Sequence, residues 1–237
     1  RLGEVTIHRY GALPSDAHNE LLILVEEPRN VQKLLDQAGS DLFPREEETL
    51  RKRLDDLLRK DSRREFLNTA EHLLGNYSPS VYSGFRSFSP VKSRQMVIYC
   101  SKKIGQLSKT KLMKLLFYMD FCYFGKTGVS LSGMRYAHLP HGPAMDNWNV
   151  FLAWLEESGA IDIDITIEGW EVIRAKENCD LSVFEDSELG VLQYVTTKLG
   201  GLSAKSLSDM SHRENGYVDT NLGELISYEY APYISIR

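Results

Sequence analysis

Residues Thr110–Phe124 read TKLMKLLFYMDFCYF, and apolar side chains occupy nearly every turn of the helix that this spacing describes. Leu112, Leu115, Leu116, Met119 and Phe121 share no single face. A helix without a polar face is the buried centre of its domain, so the remaining elements are expected to wrap around it. Just upstream, Val91–Ile104 has helical period and stops at Gly105. Downstream, Gly125–Met134 is rich in turn residues and Arg135–Pro143 (RYAHLPHGP) is extended in character. Met145–Ser158 is amphipathic through Trp148, Phe151, Leu152 and Leu155. Ile161–Ile167 alternates strictly (IDIDITI), the period of a half-buried strand, and Trp170–Ala175 is its hairpin return. Ser187–Leu199 and Ser203–His212 complete the pattern as helices, the second capped by Ser203.

Toward the N-terminus, Arg45–Lys60 places Leu50, Leu54, Leu57 and Leu58 on one helix face. Pro44 and three glutamates suit its first turn. Arg64–Leu74 repeats the pattern, and Gly75 supplies a left-handed stop. Asn76–Pro90 (NYSPSVYSGFRSFSP) loses the helical period and reads as a linker or domain boundary. The expected fold is α+β and predominantly α: a helical domain with a small β-hairpin over about 89–237, preceded by an all-helical segment.

The chain has 237 residues, 42% of them hydrophobic and 26% charged. That length buries a core without needing disulfides or a metal, and the composition excludes a disordered or fibrous chain. No run approaches the ~18–20 apolar residues of a membrane span. Cys100, Cys122 and Cys179 are odd in number and far apart. This favours a reducing cytoplasm and opposes a disulfide framework or a paired-cysteine metal site. The net charge of −5 conceals an asymmetry. Residues 91–130 carry eight basic side chains and only Asp120 as an acid, net +7, whereas residues 131–237 are net −10. Each block is either a patch for an oppositely charged partner or a solvated face.

His138, His141 and Asp120 are the residues that invite a catalytic reading, since a His–Asp pair with a nucleophile performs acid–base or acyl chemistry. No nucleophile elbow or H-E-x-x-H accompanies them, and two prolines keep the two histidines off a common helix face. No catalytic residue, metal or cofactor is therefore expected. Asp120 reads better as an acceptor for neighbouring backbone. Gly125-Lys126-Thr127 lacks the earlier glycine of a phosphate loop. Met134–Met145 (MRYAHLPHGPAM), with two X-Pro bonds, reads as a shaped surface loop or an edge segment. Such a segment is either a binding loop or a structural crossover. At the N-terminus (RLGEVTIHRY), Thr6, His8 and Arg9 are polar groups of the kind that reach phosphates or base edges.

Leu107–Trp148 resembles the signature of the Panacea, or SocA-like, antitoxin domain. The matching pieces are KLMKLLFYMDF (Lys111–Phe121) and SGMRYAHLPHGP (Ser132–Pro143). GLSAKSLSDMSHRENGY (Gly201–Tyr217) and GELISYEYA (Gly223–Ala231) fit as well. The resemblance implies an α-rich domain over 89–237 that binds and neutralises a protein toxin encoded beside it, without catalysis. One relative instead works as a proteolytic adaptor that delivers its toxin to a protease. On this reading Arg135, Tyr136, His138, Pro140, His141, Gly142 and Pro143 are the toxin contacts, and Tyr118 and Asp120 support them from the central helix. The acidic block is expected to steer a basic toxin.

The first residues resemble the region preceding this domain in helix-turn-helix–Panacea fusions, where LG-x-x-T-I-x-R-Y ends the recognition helix. Residues 1–22 are accordingly expected to be the C-terminal remnant of a Cro/repressor-like helix-turn-helix. Residues 23–88 are then a helical spacer, candidate dimerisation segment and linker. Tyr10 runs into Gly11 sooner than in that pattern, and a fuller DNA-binding module is expected upstream. The resemblance thus implies operator DNA as a second partner, read by Thr6, His8 and Arg9 from a homodimer in the cytoplasm.

Overall fold

The structure, a computed structural model, describes residues 26–38, 44–167 and 169–236. They form two compact units that divide after Phe66. In the smaller unit, helix α1 (Pro28–Ala38) is followed by the first part of α2 (Pro44–Gly75). Arg51 of α2 bonds Glu47 one turn earlier at 2.9 Å and Asp36 of α1 at 3.0 Å. Solvent screens these exposed pairs, so they contribute little to stability. The two helices expected over 45–60 and 64–74 are one element of 32 residues. Asp61-Ser62-Arg63, between the two periodic stretches, contains no glycine or proline to break it.

The larger unit is built around α4 (Lys109–Thr127), preceded by α3 (Pro90–Lys103). Every residue of α4 from Lys111 to Tyr123 is buried, as the missing polar face requires. Each large apolar side chain taken out of water there stabilises the fold by about 1.5–3 kcal/mol. Around α4 lie α5 (Trp148–Glu157), α6 (Asp186–Leu199), α7 (Ala204–Ser211), the short α8 (Asn215–Val218) and a closing turn at Tyr228–Tyr233. Serines start three of these helices: Ser89, Ser108 and Ser203 accept from the backbone N–H of Lys92, Lys111 and Ser206. No helix among the described residues is long and apolar enough to cross a membrane.

Two small antiparallel sheets complete the α+β fold. In one, β1 (Tyr136–Ala137) lies between β2 (Ala144–Met145) and β5 (Leu225–Ile226). Tyr136 is opposite both Met145 and Ile226. MRYAHLPHGPAM (Met134–Met145) was expected as a shaped surface loop or an edge segment, yet its Tyr136 and Ala137 form the central strand. The prolines explain why this is allowed: Pro140 and Pro143 lie beyond the two paired residues, in the connection to β2, where no ladder N–H is needed. In the other sheet, β3 (Ile161–Ile165) pairs with β4 (Glu171–Ala175) in the hairpin expected from the alternation. Lys176 and Arg174 cross it to Asp162 and Asp164. Ser101 of α3 anchors β4 by donating to the Ile173 carbonyl and accepting from the Ala175 N–H.

Residues 76–90, expected as a linker or domain boundary, are packed into this larger unit. The Tyr77 hydroxyl donates to the Gly133 carbonyl at 2.6 Å, Ser130 Oγ donates to the Ser83 carbonyl at 2.7 Å, and Phe88 is buried. The aromatic residues that dilute the helical period are what fasten the segment.

Candidate functional site

Asp120 is the centre from which the site is built. It faces inward from α4 and is fully buried. Its Oδ1 accepts the backbone N–H groups of Leu131 and Ser132 at 2.9 and 2.8 Å. Its Oδ2 accepts the hydroxyls of Ser132 at 2.5 Å and Tyr136 at 2.7 Å. Burial raises the Asp120 pKa and these donors oppose the rise, leaving it above the usual carboxylate value. One carboxyl group thus sets the path of the chain from Leu131 to Tyr136. Gly133 follows with φ +79°, against the backbone of Ser87, where a Cβ would collide with the Ser87 carbonyl.

Beyond β1 the chain makes the turn Leu139–Pro143, and three helices hold it by its carbonyl oxygens. Tyr217 of α8 donates to Leu139 O at 3.0 Å, Ser208 of α7 to His141 O at 2.7 Å, and Lys114 of α4 to Pro143 O at 2.7 Å. Gly142 N–H closes the turn on Leu139 O at 2.9 Å. Gly142 has φ +94°, and a Cβ there would lie 2.5 Å from Ser211 Oγ and 3.0 Å from Lys114 Nζ. No other residue type fits without displacing one of them. The backbone is therefore fixed while the side chains of Pro140 and His141 remain exposed.

His138 stacks on Tyr217 with ring centroids 3.6 Å apart, and its Nδ1 meets Thr220 Oγ1 at 3.2 Å. His212 leans on the other side of this cluster, 4.7 Å from the Tyr217 ring. Its Nε2 is buried and has no hydrogen-bond partner among the described residues. Burial lowers the His212 pKa, with the neighbouring Lys114 acting in the same direction. Between the turn and the start of α4 lies a groove of about 310 Å³, lined by Met113, Lys114, Leu139, Pro140, His141 and Trp148 among others. Lys109, at its rim, is paired with Glu171 at 2.8 Å.

The expected contact residues separate into two groups. Pro140 and His141 are exposed, and Arg135 and His138 are half-buried. Tyr136 is not a surface residue: it has no exposed area, and its ring packs among Phe117, Phe121 and Tyr228. A central strand in a buried sheet points it into the core. Gly142 and Pro143 are buried too and contribute shape rather than contact area. Arg135 is held in place by Asp146 at 2.6 Å and by the Tyr77 ring 4.2 Å away. Tyr118 supports a different region: its hydroxyl donates to Glu214, which also accepts from Ser235. Thr6, His8 and Arg9 lie outside the described residues.

The His–Asp constellation does not assemble. The hydrogen bonds of Asp120 come from Leu131, Ser132 and Tyr136, and His138 faces Thr220 and Tyr217. Burial pushes the Cys122 thiol up to about 12, away from the thiolate a nucleophile needs. Among the described residues no three His, Cys, Asp or Glu side chains converge as a metal set.

Three of the eight basic residues of 91–130 are neutralised within the fold. Lys92 meets buried Glu188 at 2.5 Å, Arg94 meets Glu177 at 2.8 Å, and Lys109 meets Glu171. Each of these acids belongs to the acidic block. The sequence signal for the residues missed here was present: a helix with no polar face must bury its lysines as well as its leucines, which points to Lys111 and Lys114. Tyr217 and Ser208 carried no comparable signal, because only the tertiary fold brings them to the turn.

No curated protein and no solved structure matches the chain. The family model described as antitoxin SocA-like, Panacea domain matches residues 112–217. That span runs from the buried helix α4 through the clamped Leu139–Pro143 turn to Tyr217, which holds the turn from the far side. Residues 112–217 of this chain are a Panacea domain of the SocA-like antitoxin family.

Proposed function

We propose that this protein is the antitoxin of a toxin–antitoxin pair and neutralises its cognate protein toxin by direct, stoichiometric binding. The toxin meets the Leu139–Pro143 turn and the groove beside it, with Pro140 and His141 as outward contacts and Arg135 and His138 at the margin. Tyr136, Gly142, Pro143 and Asp120 hold that surface in shape. The observation that carries this reading is the turn whose three carbonyls are clamped from three helices inside the family-matched span. A surface ordered before binding loses little conformational entropy on association. The mechanism is occlusion of the toxin without catalysis, and it takes place in the cytoplasm. The N-terminal residues, with Thr6, His8 and Arg9 as DNA contacts, bind operator DNA as a homodimer and regulate the pair's own expression.

The test is co-expression. The product of the neighbouring reading frame arrests growth alone, and this chain restores growth while co-purifying with that product. Arrest that persists despite equal expression of this chain contradicts the reading.

One observation favours a second reading, a proteolytic adaptor that delivers the toxin to a protease. An adaptor needs a further docking surface, and the far end of the β3–β4 hairpin presents Ile165, Ile167 and Trp170 at 73%, 104% and 71% exposure. Exposed apolar side chains grouped in this way mark interaction surfaces. A toxin half-life that shortens when this chain is present, and recovers with Trp170→Ser, supports the adaptor.

A further inference from the structure

Lys114 is the unusual group in this site. It is 1% exposed, in the middle of a buried helix, and it lines the groove. Among the described residues its acceptor is one neutral carbonyl, Pro143 O, and no carboxylate lies within ion-pair distance of it. An ammonium has three donors, so two are left over. Nearby, Lys114, His138 and His141 all disfavour protonation of His212. Asp209 acts on His212 in the opposite sense, and Glu171 is engaged by Lys109. Burial without a counter-charge pushes the Lys114 ammonium down to about 7. A buried ammonium with donors to spare, under the turn and lining an open groove, describes a receptor for an anionic acceptor. The first turn of α4, whose Lys109 and Thr110 form the rim, adds partial positive charge from its N–H groups.

We propose that the groove is a carboxylate socket in which an acidic side chain of the toxin inserts beneath the Leu139–Pro143 turn and becomes the counter-ion of Lys114. The inference rests on the antitoxin reading for the source of the acid, but the socket itself does not. Met113, Leu139 and Trp148 give the groove apolar walls, which exclude water and strengthen a charge pair made inside it. The occupant is a single Asp or Glu side chain, because a groove of about 310 Å³ has no room for a folded element. In a chain of net charge −5, this places the toxin-binding attraction in a local cationic cavity rather than in the overall charge.

The test uses the full chain and acetate as the probe. With ¹³C-labelled lysine, the Lys114 Cε resonance is followed against pH with and without acetate at constant ionic strength. Acetate is expected to raise the Lys114 titration midpoint and to shift the amide resonances of Gly142 and Ala144 in a saturable way, and Lys114→Met abolishes those amide shifts. A Lys114 midpoint indifferent to acetate overturns the socket, and that measurement needs only the wild-type chain. In a second arm the toxin is titrated into both proteins below their melting temperatures, and Lys114→Met is expected to bind at least ~10-fold more weakly. Equal toxin affinity in the two proteins removes the toxin as the source of the acid. Self-association of the wild-type chain that Lys114→Met abolishes assigns the acid to a second copy instead, and likewise overturns the toxin assignment. Failure of the wild-type chain to neutralise any toxin contradicts the antitoxin reading and leaves the acetate result standing.

Discussion

Asp120 and Lys114 are two polar residues on one apolar helix, six positions apart, and they do opposite things. Asp120 is surrounded by donors. Removing its acceptors in Asp120→Ala leaves two backbone N–H groups and two hydroxyls unpaired in the core, at a cost on the order of 3–5 kcal/mol. Asp120→Asn keeps an acceptor for the N–H groups and offers a donor to the hydroxyls, so about 1–2 kcal/mol is expected. Urea denaturation of the two variants measures the difference, and equal losses contradict the role of Asp120 as an organiser of 131–136. Lys114 is short of acceptors, which fixes the sign of its pH dependence. Its folded value near 7 lies below that of an unfolded lysine, so at higher pH the unfolded chain binds the extra proton. The cost of burying the charge is therefore fully present below about 7 and is relieved as pH rises through that value. The stability of the wild type relative to Lys114→Met should increase between neutral and alkaline pH. A difference that stays flat, or falls, contradicts the burial of a charged ammonium.

Among the elements, the turn Leu139–Pro143 is the most constrained. Gly142→Ala adds a methyl group where φ is +94° and where Ser211 and Lys114 already stand, so a loss of about 2–3 kcal/mol is expected. Toxin binding should weaken with it, because the carbonyls of His141 and Pro143 can no longer both be held. A Gly142→Ala chain with the wild-type melting temperature contradicts the clamp. How much of this was legible depended on whether the cause was local. The burial of α4 followed from its own residues, as did the hairpin β3–β4, the cap at Ser203 and the amphipathic α5. The continuity of α2 was also local, and was obscured because its apolar stripe slips phase near Asp61–Arg63. The remainder was not local. Tyr136 becomes central only because Ile226, far along the chain, supplies the third strand. Tyr118 finds its partner at Glu214, and Tyr77 finds Gly133. No period or motif in a single stretch specifies such pairs. The turn itself was recognisable from its two prolines and glycine, whereas the lysine beneath it became evident only from the fold.

For the molecule as a whole, the charge asymmetry changes meaning once the chain is folded. Three ion pairs join the basic block to the acidic one. Glu188, fully buried, joins Lys92 at 2.5 Å and Arg86 at 3.5 Å, and so ties α6 to α3 and to the segment before it. Glu188→Gln leaves two cations without their shared counter-charge, and a loss of about 3 kcal/mol in thermal denaturation is expected. A neutral outcome contradicts the idea that these pairs hold the unit together. Lys114, by contrast, is a buried cation without an acid partner among the described residues, in a groove under a rigid turn. Calorimetric titration of the toxin into the full chain, wild type beside a Pro140→Ala/His141→Ala double variant, tests the central claim most directly. The wild type is expected to form a stoichiometric complex, and the variant to bind at least ~30-fold more weakly while melting at the same temperature, as for loss of a binding hot spot. A double variant that binds the toxin as tightly as the wild type would contradict the claim that this turn is where the toxin is held.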